Sequence, residues 1–211
     1  GGLNDSQLKD YLAALKTRGH GVDLFLHTWN VSEAKSSYRV LDQCETFEVK
    51  KDILIDYFSE HSIKQIIVDD DSQLQLHGSL EGKINTCPKI AWKRMWAGKF
   101  KLASHLYHNH TYDYDLVIST RYDKFTTPVC YTPPKNLLKM TTLAGGLSLK
   151  YPQHYRHIKG IDNYYCGSLQ SIYDITCAFH YSLDEIIEKY RIRSFHEELF
   201  YKYAVDHGLT R

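Results

Sequence analysis

No apolar run in the 211 residues is long enough to cross a bilayer, and no signal-peptide pattern is visible. Cysteine is scarce and unpatterned: Cys44, Cys87, Cys130, Cys166 and Cys177 are odd in number, widely spaced and without a C-x-x-C pair. That excludes a disulfide framework and a zinc knuckle, and predicts reduced, mostly buried thiols in a cytoplasmic setting. Neither sign of charge dominates: 26 Lys and Arg stand against 25 Asp and Glu, a net +1. A general electrostatic grip on nucleic acid or an anionic membrane is excluded on that balance. With 12 Gly and 5 Pro against 43% hydrophobic residues, the chain is neither collagen-like nor disordered. The phosphate loop G-x-x-x-x-G-K-[ST], the nucleophile elbow G-x-S-x-G and the dinucleotide fingerprint G-x-G-x-x-G are all missing. Their absence disfavours P-loop kinases, α/β-hydrolases and Rossmann dehydrogenases. H-E-x-x-H is missing too, since His196-Glu197-Glu198 lacks a second histidine.

What the chain has in excess is polar aromatic surface. Its 17 Tyr outnumber 8 Phe, and 12 His accompany them. Such side chains present a flat apolar body with a hydrogen-bonding tip, which suits sugars and nucleotides. The length favours one domain over 1–211, able to bury roughly 70% of its unfolded surface. A start at Gly1-Gly2 rather than Met is that expected of a domain excised from a longer chain.

Leu8, Tyr11, Leu12 and Leu15 recur at helical spacing after Asn4, Asp5 and Ser6, and Val22 to His27 read as a strand behind Gly19-His20-Gly21. Residues 51–61 read as helix and 65–68 as a buried-type strand running into Asp69-Asp70-Asp71. The spacing of Trp92, Met95, Trp96, Phe100, Ala103, Leu106 and Tyr107 predicts a helix over about 91–110, followed by a strand over 115–119. Residues 126–160 hold four of the five prolines and Gly145-Gly146, and read as loops with short strands. A helix is expected over 169–180. Ser182 with Glu185 and Ser194 with Glu197 read as capping boxes for two closing helices. Strands alternating with helices predict an α/β layer fold around a mixed, mostly parallel sheet, in which ligands collect beyond the carboxyl ends of strands.

Three such ends are polar: His27-Thr28-Trp29-Asn30, Asp69-Asp70-Asp71 and Arg121-Tyr122-Asp123. In extended backbone Arg121 and Asp123 point to one side, where a carboxylate can hold a divalent metal and a guanidinium can meet phosphate. A structural Arg–Asp pair is the equal alternative. Three adjacent aspartates repel unless a cation relieves them; otherwise they form a solvated turn with Asp70 or Asp71 as a cap. His105, His108 and His110 read as surface or helix-end residues rather than metal ligands, and Asp113 and Asp115 as turn residues. Asp162 precedes an aromatic run that closes on Gly167-Ser168. It reads either as a base near a helix N-terminus or as an ordinary turn residue. Of the two glutamates opening the last helix, Glu197 is explained by capping and Glu198 is the candidate for chemistry.

The segments VDLFLHTWN, YDLVISTRYD, IDNYYCGS and FHEELFYKYAVDHG follow the order found in glycosyltransferases that build capsule, lipopolysaccharide and viral capsid glycans. Over residues 20–208 the chain resembles that family, and in particular its chlorella-virus capsid-glycan branch. The resemblance implies a single-domain GT-A-like fold and transfer of a hexose or deoxyhexose from a nucleotide diphosphate sugar, most often a UDP-sugar, to a sugar hydroxyl. It implies Mn²⁺ or Mg²⁺ at Asp123. Arg121 replaces the first aspartate of the usual D-x-D, so completion of the metal site is assigned elsewhere, to His196. Gly2, Thr28, Trp29, Asp71 and Arg121 are the expected nucleotide contacts, and Asp162 or Glu198 the expected base. The competing readings are a non-catalytic carbohydrate- or nucleotide-binding module and, more weakly, a phosphoryl-transfer or nuclease domain built on the aspartate cluster.

Overall fold

The computed structural model describes residues 6–33, 46–85, 87–110, 114–120, 164–191 and 196–209. They form an α/β chain that divides between Gln75 and Leu76 into two units.

In the first unit, helix α1 (Ser6–Thr17) buries Tyr11, Leu12 and Leu15, the stripe its spacing predicts. Gly19, at φ +82, turns the chain out of α1. Strand β1 (Asp23–Trp29) then runs parallel to a later strand, as the sequence anticipates for a layered fold. A short antiparallel pair, β2 (Val31–Glu33) with β3 (Thr46–Glu48), follows. Helix α2 (Lys51–Tyr57) is shorter than the expected 51–61; Phe58 N–H bonds Leu54 O and the chain turns through His61. Strand β4 (Ser62–Asp69) pairs with β1 in the register Leu26↔Ile66, Thr28↔Val68, Trp29↔Asp69. Leu54, Phe58 and Ile66 are buried in this unit as well.

In the second unit, β5 (Lys83–Ile84) and β6 (Cys87–Pro88) form a two-residue ladder ahead of helix α3 (Lys89–Asn109). Strand β7 (Val117–Thr120) pairs antiparallel with β8 (Tyr164–Gly167). Helices α4 (Leu169–Tyr181), α5 (Leu183–Tyr190) and α6 (His196–Asp206) close the chain. The core gathers Trp92, Trp96, Tyr165, Phe179 and Phe200. Trp96 lies 4.5 Å from Phe179 and stacks on Phe200 at 5.7 Å and 14°. Rings of this size dominate burial, so they define the unit.

Two expectations need correction. The described strands make four two-stranded sheets, one parallel and three antiparallel, rather than one continuous, mostly parallel sheet. Ser182 does cap α5 by position, but its side chain makes no capping bond. Its backbone, at φ −117 and ψ 26, is still closing α4 through Ser182 N–H to Ala178 O at 2.8 Å, so the hydroxyl is not set to cap the next helix. Ser168, by contrast, caps α4 by accepting from Ser171 N–H at 3.2 Å. No helix among the described residues is long and apolar enough to cross a membrane.

Candidate functional site

The carboxyl ends of β1 and β4 gather the polar residues of the first unit. Side chains alternate along a strand, so His27 and Trp29 share one face of β1, and Asp69 shares it on β4. His27 Nε2 lies 2.8 Å from Asp69 Oδ2, with side-chain exposures of 9% and 17%. The His27 ring meets Trp29 edge-on at 4.7 Å and 88°. Asn30 N–H donates to Asp69 O at 2.7 Å, which ties the chain leaving β1 to the last residue of β4. Thr28 lies on the opposite face with Leu26, Ile66 and Val68. The two expected nucleotide contacts on this strand, Thr28 and Trp29, therefore point to different sides.

The aspartate cluster is split in the same way. Asp69 belongs to the strand and holds His27. Asp70 accepts from Ser72 N–H at 2.9 Å and Ser72 Oγ at 2.7 Å, and these two bonds hold its carboxyl below the usual carboxylate range. Asp71 opens the single turn Asp71–Gln73 and is half-buried. The solvated, capped turn anticipated as the plain reading is thus present at Asp70. A recess of about 360 Å³ lies elsewhere, lined by Lys51, Ile55, Ile63, Lys64, Gln65 and Ile66, and includes none of the strand-end residues.

In the second unit, the register Val117↔Gly167 and Thr120↔Tyr164 fixes which groups share an end of the β7–β8 pair. The pair begins at Val117 beside Gly167, where Ser168 caps α4; its other end is Thr120 beside Tyr164. The α4 N-terminus therefore stands at the opposite end of this ladder from Thr120. Arg121 follows Thr120 in sequence, and Asp162 shortly precedes Tyr164. Arg121, Asp123, Asp162 and Gly2 lie outside the described residues, as does the side chain of His196. Glu198 is half-buried on α6 and pairs with Lys202 one turn on, Oε1 to Nζ 3.4 Å.

His105, His108 and His110 take the roles expected of a helix end. His105 O accepts from Asn109 Nδ2 at 2.8 Å, His108 is exposed against Tyr107 and Tyr173, and His110 N–H closes α3 onto Leu106 O at 2.7 Å. Asp115 is an exposed bend residue, and Asp113 lies outside the described residues. Cys87 and Cys166 are buried and Cys177 is half-buried. Among the described residues no three His, Cys, Asp or Glu side chains are placed to hold one metal ion.

Two arrangements were not singled out from the sequence. One is the His27–Asp69 pair, for which strand parity at two adjacent polar ends is the available signal. The other is Lys93, which is 3% exposed and bonds Asp184 Oδ2 at 2.8 Å and the His77 carbonyl. Asp184 also takes Lys89 at 3.0 Å and Ser79 N–H at 2.7 Å. Burial opposes its ionisation, but the two lysines and the Ser79 amide together hold its carboxyl below the usual range. No protein-family model, curated protein or solved structure matches the chain.

Proposed function

We propose that the chain is a metal-dependent glycosyltransferase of GT-A architecture, moving a hexose or deoxyhexose from a UDP-sugar to a sugar hydroxyl of a surface or capsid glycan. The resemblance to surface-glycan glycosyltransferases motivates this reading. The observation that carries it is the convergence of His27, Trp29 and Asp69 at the carboxyl end of the parallel β1–β4 pair. A half-buried indole beside an imidazole–carboxylate pair offers a flat face and hydrogen-bonding groups, the combination a nucleoside needs. In this reading Trp29 faces the base and Asp71 or Gly2 the ribose. Arg121 meets the diphosphate. Asp123 with His196 would hold Mn²⁺ or Mg²⁺, which would supply positive charge beside a leaving diphosphate. The acceptor hydroxyl attacks the anomeric carbon as the bond to diphosphate breaks, and Asp162 or Glu198 takes its proton. Glu198 is the weaker of the two, because its i,i+4 pair with Lys202 is one that a purely structural glutamate also makes. The compartment that fits is the cytoplasm, of a host cell if the protein is viral.

Thermal denaturation with UDP, GDP and CMP, each with and without Mn²⁺, tests the reading. Metal-dependent stabilisation by one nucleotide is expected, and Asp123→Ala should remove it while leaving the fold intact. No shift with any nucleotide would sink the proposal. The second reading, a non-catalytic carbohydrate- or nucleotide-binding module, is favoured by Arg121 standing where the family has its first aspartate. Metal-independent nucleotide binding with no turnover of any nucleotide sugar would select it.

A further inference from the structure

Four successive residues of β4 line the recess of the first unit: Ile63, Lys64, Gln65 and Ile66. Successive side chains of a strand point to opposite faces, so a recess that touches all four runs along an edge of β4 rather than over one face. No residue of β1 lines it, and β1 holds its own edge of β4 through the register Asp23↔Ser62 to Trp29↔Asp69. The recess therefore follows the edge of β4 turned away from β1. Among the described residues no strand pairs there. Lys51 and Ile55 form the second wall; four residues apart, they share one face of α2.

An edge of eight residues presents a row of backbone N–H and C=O groups, a template on which another strand can form. Ile55, 47% exposed, and Ile63 give it an apolar patch, and Lys51 and Lys64 give it positive charge. Lys64 lies 3.8 Å from Asp23 Oδ2, yet its side chain is 45% exposed and stays open to a second carboxylate. We propose that this edge is a docking surface for an extended acidic segment of another protein, which adds to β4 as a further strand. Main-chain hydrogen bonds to the edge supply affinity, an apolar side chain settles over Ile55 and Ile63, and carboxylates on the same segment meet Lys51 and Lys64. A second copy of the chain is the poorer occupant, because it would bring its own Lys51 and Lys64 to the junction, and edge lysines hinder pairing between like strands. The inference is independent of the nucleotide-sugar reading, since the recess contains none of the strand-end residues.

Fluorescence anisotropy on the intact chain tests this with a labelled peptide of alternating Glu and Val, matched to β4 in length, and its Lys–Val counterpart. Wild type is expected to bind the acidic peptide, more weakly as salt is raised, and to leave the basic one free. Lys51→Glu with Lys64→Glu should weaken the acidic peptide roughly 5- to 30-fold and admit the basic one. If Lys64→Glu, set beside Asp23, does not fold, Lys51→Glu alone carries the charge test. Strand addition has its own signature, since alternate N–H groups of an added strand point to the sheet. N-methylation of one alternate set of peptide nitrogens should cost about 100-fold in affinity, and methylation of the other set little. No binding of the acidic peptide, equal binding of both peptides, or equal effects of the two methylation patterns would overturn the proposal. So would a dimer in sedimentation that the lysine variants leave intact and the acidic peptide fails to disperse, which would give the edge to a second copy.

Discussion

Asp69 ties together the carboxyl ends of two parallel strands: its Oδ2 stands 2.8 Å from His27 Nε2, one pleat back along β1 from its own register partner, Trp29. The pair orients the imidazole, and the imidazole in turn sets the edge against which the indole rests. Asp69→Ala should therefore do more than delete a surface carboxylate. A loss of about 1–3 kcal/mol is expected, because the largely buried imidazole loses this hydrogen bond, and the urea midpoint should fall at unchanged slope. If the strand end is the nucleotide site, nucleotide-dependent stabilisation should fall with it; an unchanged nucleotide shift would place the ligand elsewhere.

Removing Asp184 leaves Lys93 buried with the His77 carbonyl as its remaining hydrogen-bond acceptor among the described residues. Asp184→Ala is expected to cost about 3 kcal/mol, a fall in Tm of roughly 6–12 °C for a chain of this length. The pair also has a pH signature. The Asp184 carboxyl is depressed in the folded state, so its contribution is complete above the unfolded value of about 3.9 and is lost as pH falls through the lower folded value. Acid unfolding followed by circular dichroism should start at higher pH in Asp184→Asn than in wild type.

Gly78 and Gly82 separate backbone strain from steric overlap. Both have positive φ, +72 and +89, but a Cβ on Gly78 would overlap Asp184 Oδ2 while one on Gly82 would meet nothing within 4 Å. Gly82→Ala should cost about 1 kcal/mol from the left-handed backbone alone. Gly78→Ala should cost about 1–2 kcal/mol more, since the carboxylate holding Lys93 has to move. Equal midpoints in urea for the two variants would contradict the close approach.

His180 predicts a slope rather than a midpoint. Burial first, then the neighbouring His77 and Lys101, lower its pKa from 6.5 to about 4. Between those values the unfolded chain binds the proton and the folded chain does not, so stability rises with pH across that window. His180→Phe keeps the stack on Phe100, at 4.5 Å and 12° in wild type, and removes the titration. The slope of unfolding free energy against pH should drop by up to about 1.4 kcal/mol per pH unit between pH 4 and 6.5. A variant with the wild-type slope would assign it to another group.

Elements whose apolar residues repeat at one period were legible in the sequence. Leu8 to Leu15 and Trp92 to Tyr107 gave helices within one or two residues of α1 and α3, because one face of each must be buried whatever surrounds it. The Asp70 cap was legible for the same local reason. Pairing was not. Whether 117–120 joins 164–167 parallel or antiparallel depends on residues far apart in the chain, and it decides that Ser168 and Thr120 stand at opposite ends. His27–Asp69 and Lys93–Asp184 span 42 and 91 residues, so no local pattern announces either. The expected metal and phosphate ligands Asp123 and Arg121, and the base Asp162, fall outside the described residues.

The three tryptophans are divided unevenly: Trp29 ends β1 in the first unit, while Trp92 and Trp96 lie in the core of the second. Intrinsic emission can therefore distinguish the two. With Trp92 and Trp96 both changed to Phe, all remaining indole light comes from the strand end beside His27. A nucleotide settling against Trp29 would change that signal. The residue that shapes the candidate site is also its optical probe.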